Sequence, residues 1–488
     1  MRENSIKSMF SGTYPQLIAV LTCTVSAISD GMQYGWTSPI LQVLKSPDSP
    51  VPLKEHEETW LESVYMFGGI AGLPVTIFLV DRVGRKNSMV AAATCSLIGW
   101  ILIAIADRVE YFYAARFLTG LAGDVAFVSA PMYVAEIADK KIRGFLAGMI
   151  YLMMLLGILV IYSVAPFVPI YVSSIVGGVI LLMQLCAFPF IPKSPYFLLS
   201  KGRREEAFNA LKRLRMRDNI DKEFEEIDAA VQRQKSEKGR PQDLILIKSN
   251  RKALIIMTVL CAAQHFSSIS VILMNLHHIL EEANSVYMSP TSSGILFAAM
   301  MLISATIADF YVDKFGRKIL LTTSSLFTGL SLLVIAVYFS LQNSGVDVSG
   351  ISWLPIASVM IYAAVFKYGL GMIPIVMTAE LFPAKVKAMG MTISDAMYLV
   401  FALISIELYQ RLSALYYLDV PFYIFSASCL FTAAFSMLYI PETKGKTLEE
   451  IQFILKGEPY PHTQTTDEKI EPIEKPGSIE AEFSTTHL

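Results

Sequence analysis

Two short charged runs, Asp81-Arg82-Val83-Gly84-Arg85-Lys86 and Asp313-Lys314-Phe315-Gly316-Arg317-Lys318, interrupt a chain that is otherwise strongly apolar. Acid and base placed together at a helix end can pair between helices. The tight turns that Gly84 and Gly316 permit would carry Arg85 and Arg317 toward Glu136 and Glu380. A second ionisable set, Asp30, Asp124, His265 and Lys367, lies inside long apolar stretches. Charge is costly there and is usually kept for proton transfer or for holding a charged or very polar solute. The competing reading is local neutralisation, with Arg116 two turns before Asp124 and with Lys367 either snorkelling or pairing with Asp395. Available partners favour this second reading. Other chemistry is weakly represented. Gly445-Lys446-Thr447 resembles the end of a phosphate-binding loop, but Ile440 stands where glycine is needed and no strand precedes it. The adjacent His277 and His278 point away from one another on a helix, which suits a core or interface role better than a metal site. No Ser-His-acid set or paired-carboxylate motif appears, so neither enzymatic activity nor a cofactor or metal is expected.

The elements that must position these groups follow from composition. The chain has 488 residues, a mean hydropathy of +0.50, 54% hydrophobic residues and 17% charged ones, too oily for a soluble protein of this length. Roughly 20 apolar residues cross a bilayer core as a helix. Twelve such runs occur, at 14–37, 60–80, 88–106, 111–133, 144–165, 169–190, 252–280, 290–312, 319–341, 353–380, 388–409 and 419–440. The net charge of −2 excludes the basic bias of a nucleic-acid binder. Lysine and arginine gather at the joints after even-numbered runs, which puts those joints and both termini in the cytoplasm. All five cysteines, Cys23, Cys95, Cys186, Cys261 and Cys429, fall inside the runs and read as reduced packing residues. No cleavable signal peptide is evident.

The expected organisation is a cytoplasmic N-terminus (1–13), a six-helix half (14–190), a linker of short amphipathic helices (191–251), a second six-helix half (252–440) and a cytoplasmic tail (441–488), disordered from about 456. Markers recur at equivalent joints. The two charged runs follow spans 2 and 8. Ala135-Glu136 through Arg143-Gly144 after span 4 matches Ala379-Glu380 through Lys387-Ala388 after span 10, and Pro192-Lys193-Ser194-Pro195 matches Pro441-Glu442-Thr443-Lys444. A duplicated six-helix unit accounts for this. Because topology alone needs only cations, the acids in these joints suggest a latch. Arg82, Arg85, Glu136, Arg143, Asp313, Arg317, Glu380, Lys387 and Glu442 would clasp the two halves when the cavity opens outward.

These joints, with Ala115-Arg116-Phe117-Leu118-Thr119-Gly120, Pro131 through Gly144 and Pro441 through Gly445, resemble the sugar porter family of the major facilitator superfamily over nearly the whole chain. Tyr34 through Pro39 and Phe382 through Lys387 resemble the insect trehalose and glucose transporters within it. The resemblance implies an all-α membrane protein of twelve helices in two pseudo-symmetric halves. It also implies alternating access, a saccharide held between the halves, and a cavity lined by spans 1, 4, 7 and 10. Those are the four spans that carry Asp30, Asp124, His265 and Lys367. The sequence departs from the family where sugar is gripped. In span 7 the pattern Gln-Gln-x-Ser-Gly-Ile-Asn keeps Gln264 and Ser267, but has His265, Ser268 and Ser270 at the other positions. Tyr151 stands where many members carry glutamine, Ile375 where tryptophan is expected, and Lys367 where some have an acid. Lys193 and Tyr196 alter the first cytoplasmic signature. A sugar wants amides, hydroxyls and an aromatic platform, which Gln264, His265, Ser267, Ser270, Asn275 and Tyr151 would supply. Asp30, Asp124 and Lys367 remain candidates for coupling. The implied protein is a monomeric plasma-membrane carrier of a glucose- or trehalose-class sugar, in contact with lipid and not nucleic acid. Two alternatives are a proton-coupled porter of another polar solute and a nutrient sensor that no longer transports.

Overall fold

A computed structural model describes residues 14–47, 49–54, 57–139, 142–216, 219–236, 240–311, 315–383, 385–444, 446 and 448–458. The expected N-terminal segment and the tail beyond 458 lie outside these residues. In lipid, backbone N–H and C=O groups find no water, so a spanning segment must satisfy them internally as a helix. Twelve crossings result. The first is α1 (Tyr14–Gly35) continued by α2 (Thr37–Lys45). Then come α3 (Glu57–Arg82), α4 (Arg85–Ala104), α5 (Val109–Ile137), α6 (Arg143–Val164) and α7 (Ile170–Ala187). After the linker, the seventh crossing is α12 (Lys248–His265) with α13 (Ile269–Glu282), followed by α14 (Pro290–Tyr311) and α15 (Arg317–Asn343). The tenth is α16 (Leu354–Tyr368) with α17 (Ile373–Leu381), and α18 (Lys387–Leu415) and α19 (Asp419–Tyr439) complete the set.

Among the described residues eleven crossings are both long and apolar enough to span a bilayer. The first is the exception because it carries Gln16, Thr22, Thr24, Ser26, Ser29, Asp30 and Gln33. Its 22 residues still reach about 33 Å, and it packs along α6 and α7, so it completes the bundle as a sheltered crossing.

Packing repeats between the halves. Crossings 1 and 5, 2 and 4, and 3 and 6 lie side by side, as do 7 and 11, 8 and 10, and 9 and 12. The main seams between halves, 5 against 8 and 2 against 11, exchange under the same relation. This is what a duplicated six-helix unit about a two-fold axis demands.

Three expected spans are broken. Crossing 1 breaks at Trp36. Crossing 7 breaks at 266–268, where Ser268 adopts φ 71°, and crossing 10 breaks at 369–372, where Gly369 and Gly371 interrupt the ladder. Irregular backbone at membrane depth survives only when protein or a cavity covers it. The breaks therefore mark the bundle centre.

The linker forms α8 (Pro195–Ser200), α9 (Arg204–Arg215), α10 (Asp221–Ser236) and α11 (Asp243–Leu246), and α20 (Leu448–Lys456) follows the last crossing. Leu198, Leu199, Ala207, Ala210, Leu211, Ile220, Phe224, Ile227 and Val231 close a separate small core on the face that bears Tyr14 and α20. That side is called the linker face below, and the opposite side the far face.

Helix α3 meets α5 so closely that a Cβ on Gly120 would strike the Tyr65 carbonyl. Gly120→Leu is expected to lower the thermal midpoint of the purified protein by the equivalent of about 1–3 kcal/mol. An unchanged midpoint in a detergent thermal-shift assay would contradict this packing.

Candidate functional site

On the linker face, acid and base meet within each half. Arg85 Nη2 lies 2.8 Å from Glu136 Oε1, tying α4 to α5, while the Arg85 guanidinium also stacks on Phe197 at 5.7 Å. The second half repeats the device. Arg317 Nη2 donates to Glu380 Oε1 at 3.2 Å, and Thr443 donates to Glu380 Oε2 at 2.5 Å. Glu442 adds a cap to α15, accepting Arg317 N at 2.9 Å and Lys318 N at 3.1 Å. Burial alone would push the Glu442 carboxyl up. The backbone N–H groups of Lys444, Arg317 and Lys318, together with the Arg317 charge, outweigh it and hold the group below its ordinary 4.5.

The latch expected across the halves belongs to the form open to the outside; in the form seen here the charged groups pair within each half. The ion pairs between described residues join partners within one half or within the linker. The reason is reach. Each base sits at the start of the helix that neighbours its acid in the same six-helix unit. Arg82 is exposed and lies over Phe78 at 5.9 Å, and Lys387 is half-buried near the Glu380 charge. Asp313 and the Arg143 side chain lie outside the described residues. Gly84 has the expected left-handed turn, φ 86°. Gly316 does not, at φ −70°; its missing Cβ instead leaves room for the Glu442 carboxylate.

Crossings 1, 7 and 10 meet at midplane. Gln264 Nε2 donates to Gly371 O at 3.5 Å, joining the breaks of crossings 7 and 10. Ser270 Oγ lies 2.8 Å from both His265 Nδ1 and the Tyr34 hydroxyl, joining crossings 7 and 1. The His265 ring packs edge-on against Tyr398 at 4.2 Å. Ser267 serves its own turn, donating to Gln264 O at 2.5 Å while its carbonyl accepts Tyr362. Four of the six residues expected to contact solute therefore cluster. Asn275 lies two turns farther toward the far face, and Tyr151 faces Lys367 from the other half.

Neither expected neutralising pair forms. Arg116 is fully buried, with its guanidinium committed to the Leu61 and Gln33 carbonyls and to Thr37 Oγ1 and lying 4.3 Å from the Tyr65 ring centroid. Asp124 accepts from Thr76 at 2.5 Å instead. Lys367 Nζ sits 3.7 Å from the Tyr151 ring centroid and has no hydrogen-bond partner among the described residues. It is 2% exposed, so it does not snorkel. Asp30 is half-buried on α1, one turn before Tyr34.

Apart from the Tyr34–Ser270 contact, the hydrogen bonds between described residues of the two halves lie nearer the far face. Ser38 Oγ meets both His277 Nδ1 at 2.8 Å and His277 N at 3.1 Å. Tyr162 donates to Leu273 O at 2.7 Å. Glu62 Oε2 collects Asn275 Nδ2 at 3.1 Å and Gln410 Nε2 at 3.0 Å, and Ser63 donates to Glu407 at 2.8 Å. Sequence reasoning passed over Glu62, Ser38 and Tyr34. Glu62 stands two residues inside an expected span and offered a signal; the hydroxyls offered none. The molecule is closed on the far face.

Comparison with known proteins agrees with this architecture. A family model described as "Sugar (and other) transporter" matches residues 16–455. The facilitated trehalose transporter Tret1 of Aedes aegypti is 28% identical over 91% of this chain, which spans 55% of that relative. The Culex quinquefasciatus Tret1 is 28% identical over 90% of this chain and 86% of its own length. Among solved structures, the proton:xylose symporter XylE bound to 6-bromo-6-deoxy-D-glucose superposes with a TM-score of 0.73 at 22% identity, covering 91% of this chain and all of that one. A partially occluded inward-open form of XylE from E. coli gives 0.74 at 21% identity, covering 88% and 99%.

The Glu442 cap carries a pH signature. Its carboxyl is held below 4.5, so its stabilisation is complete above that pH and is lost as the pH falls through the lower folded value. Glu442→Gln should lower the thermal midpoint at neutral pH and flatten its decline below 4.5. Superimposable wild-type and variant curves would contradict the cap.

Proposed function

The chain belongs to the sugar (and other) transporter family, and from that premise we propose that it is a plasma-membrane carrier that passes a small saccharide of the glucose or trehalose class down its gradient by alternating access. The linker face is then cytoplasmic, as the lysines and arginines gathered there favour, and the closed far face is extracellular. Such a carrier works as a monomer and performs no catalytic step.

One observation carries the reading. Around the breaks of crossings 1, 7 and 10, four buried polar atoms have no hydrogen-bond partner among the described residues: Gln33 Nε2, His265 Nε2, Ser268 Oγ and Lys367 Nζ. An orphaned polar atom costs about 1–3 kcal/mol, so a site that gathers several is suited to a solute offering many hydroxyls. Gln264, Ser270 and Tyr34 border the same place, and Tyr151 offers an aromatic face. Asn275 belongs with Glu62 and Gln410 in the extracellular closure, where it would act on gating.

Motion follows from the same geometry. The far-face closure consists mainly of single hydrogen bonds, each worth about 1 kcal/mol net, so solute contacts of similar size suffice to shift the balance. The Arg85–Glu136 and Arg317–Glu380 pairs keep each half rigid at the cytoplasmic end while the halves rock. A proton-coupled reading draws on the unpartnered Lys367 and on Asp30 and Asp124.

Uptake of labelled saccharides into proteoliposomes, with and without a pH gradient, tests the proposal. Equilibrating flux of a neutral sugar, lowered at least about tenfold by Gln264→Ala or Ser270→Ala, is expected. Accumulation only with the gradient, abolished by Lys367→Met, would replace the facilitated mechanism with a coupled one. Sugar binding without flux would remove transport altogether.

A further inference from the structure

Away from the solute path, an open groove of about 570 Å³ lies between the first turn of α1 and the last turn of α9, lined by Pro15, Asn209, Lys212, Arg213 and Met216. Pro15 lies in the first turn of the first crossing, at the linker face. Cations crowd its edge. Arg213 Nη2 donates to Phe190 O at 2.8 Å and Lys86 Nζ to Ile191 O at 2.7 Å, while Lys193 and Arg213 are near enough to repel the Lys86 ammonium. Both contacts go to carbonyl oxygens, which leave the charges of Arg213 and Lys86 unneutralised and most of their N–H donors available. Apolar side chains flank the groove. Tyr14 is 63% exposed, Ile18 61%, Met216 68% and Phe190 73%. Water would surround such residues at a cost, whereas acyl chains would cover them.

We propose that this groove binds the headgroup of an anionic phospholipid, its phosphate drawn to Arg213, Lys193 and Lys86 and its chains lying along Tyr14 and Ile18. A soluble phosphate would satisfy the cations but leave the apolar flank bare, so the lipid is the better fit. The charge cluster holds together against its own repulsion because the anion of the surrounding leaflet offsets it. Occupancy would join the first crossing to the linker helices, since the groove is built half from each.

The test uses the full chain, purified and reconstituted in phosphatidylcholine nanodiscs with or without a minor fraction of phosphatidylserine. Thermal unfolding and the lipids retained in native mass spectrometry are the readouts. Phosphatidylserine should raise the unfolding midpoint and remain bound. The triple substitution Lys86→Ala, Lys193→Ala, Arg213→Ala should cut its retention at least about tenfold, while the charge-keeping Lys86→Arg, Lys193→Arg, Arg213→Lys protein retains it. Lys45→Ala, on the far face, should leave retention unchanged. Equal retention by wild type and the triple alanine variant would overturn the proposal, as would displacement of the lipid by inorganic phosphate. Loss of retention in the charge-keeping protein as well would also overturn it, because structure rather than charge would then hold the lipid.

Discussion

A polar group inside a bilayer has no water to fall back on, and nearly every feature of this protein answers to that constraint. It makes the backbone helical, confines broken helix to the bundle centre, and turns each cationic joint into a bonded structure. Arg116 illustrates the rule at its most demanding. A buried guanidinium at membrane depth is acceptable because carbonyls, a hydroxyl and two aromatic rings receive it. Among the described residues, buried polar atoms without a partner occur in several parts of the bundle, and those of Gln33, His265, Ser268 and Lys367 lie at or next to the three helix breaks.

The two membrane faces meet the constraint differently. On the linker face the strong contacts are charged and internal to each half, so they hold shape without opposing relative movement. On the far face the contacts run between halves and are hydrogen bonds, about half of them accepted by glutamate carboxylates, with no ion pair among the described residues crossing the seam, which keeps them separable. Rigid units joined by a separable seam are what rocking about a central site requires.

The fold was legible because its signals are local. Span length, the recurrence of Asp-x-x-Gly-Arg-Lys after crossings 2 and 8, and the basic joints gave twelve crossings and their duplication without any tertiary information. The clustering of Gln264, His265, Ser267 and Ser270 was also legible, since they are near neighbours along one helix. What stayed hidden was pairing over distance. The partner of Ser270 is 236 positions away at Tyr34, and that of His277 is 239 positions away at Ser38. Nothing in a lone serine or tyrosine announces such a contact. The pairing of the charged groups in the far-face-closed form was hidden for a related reason. Charge complementarity identifies who can pair, but only helix adjacency decides whether Arg85 reaches an acid in its own half or the other. Lys367 was expected to snorkel or to pair with Asp395 and instead lies on the ring of Tyr151, because the approach of crossing 5 to crossing 10 is not written in either segment.

The central claim is that the far-face seam opens while each half stays intact. Distances between spin labels answer it directly, with one pair at Lys45 and Glu282 on the far face and another at Arg82 and Lys318 on the linker face. Adding a transported sugar should produce a second population in which the far-face distance lengthens and the linker-face distance shortens together. A single unchanged distance on the far face, or lengthening on both faces at once, would contradict the account.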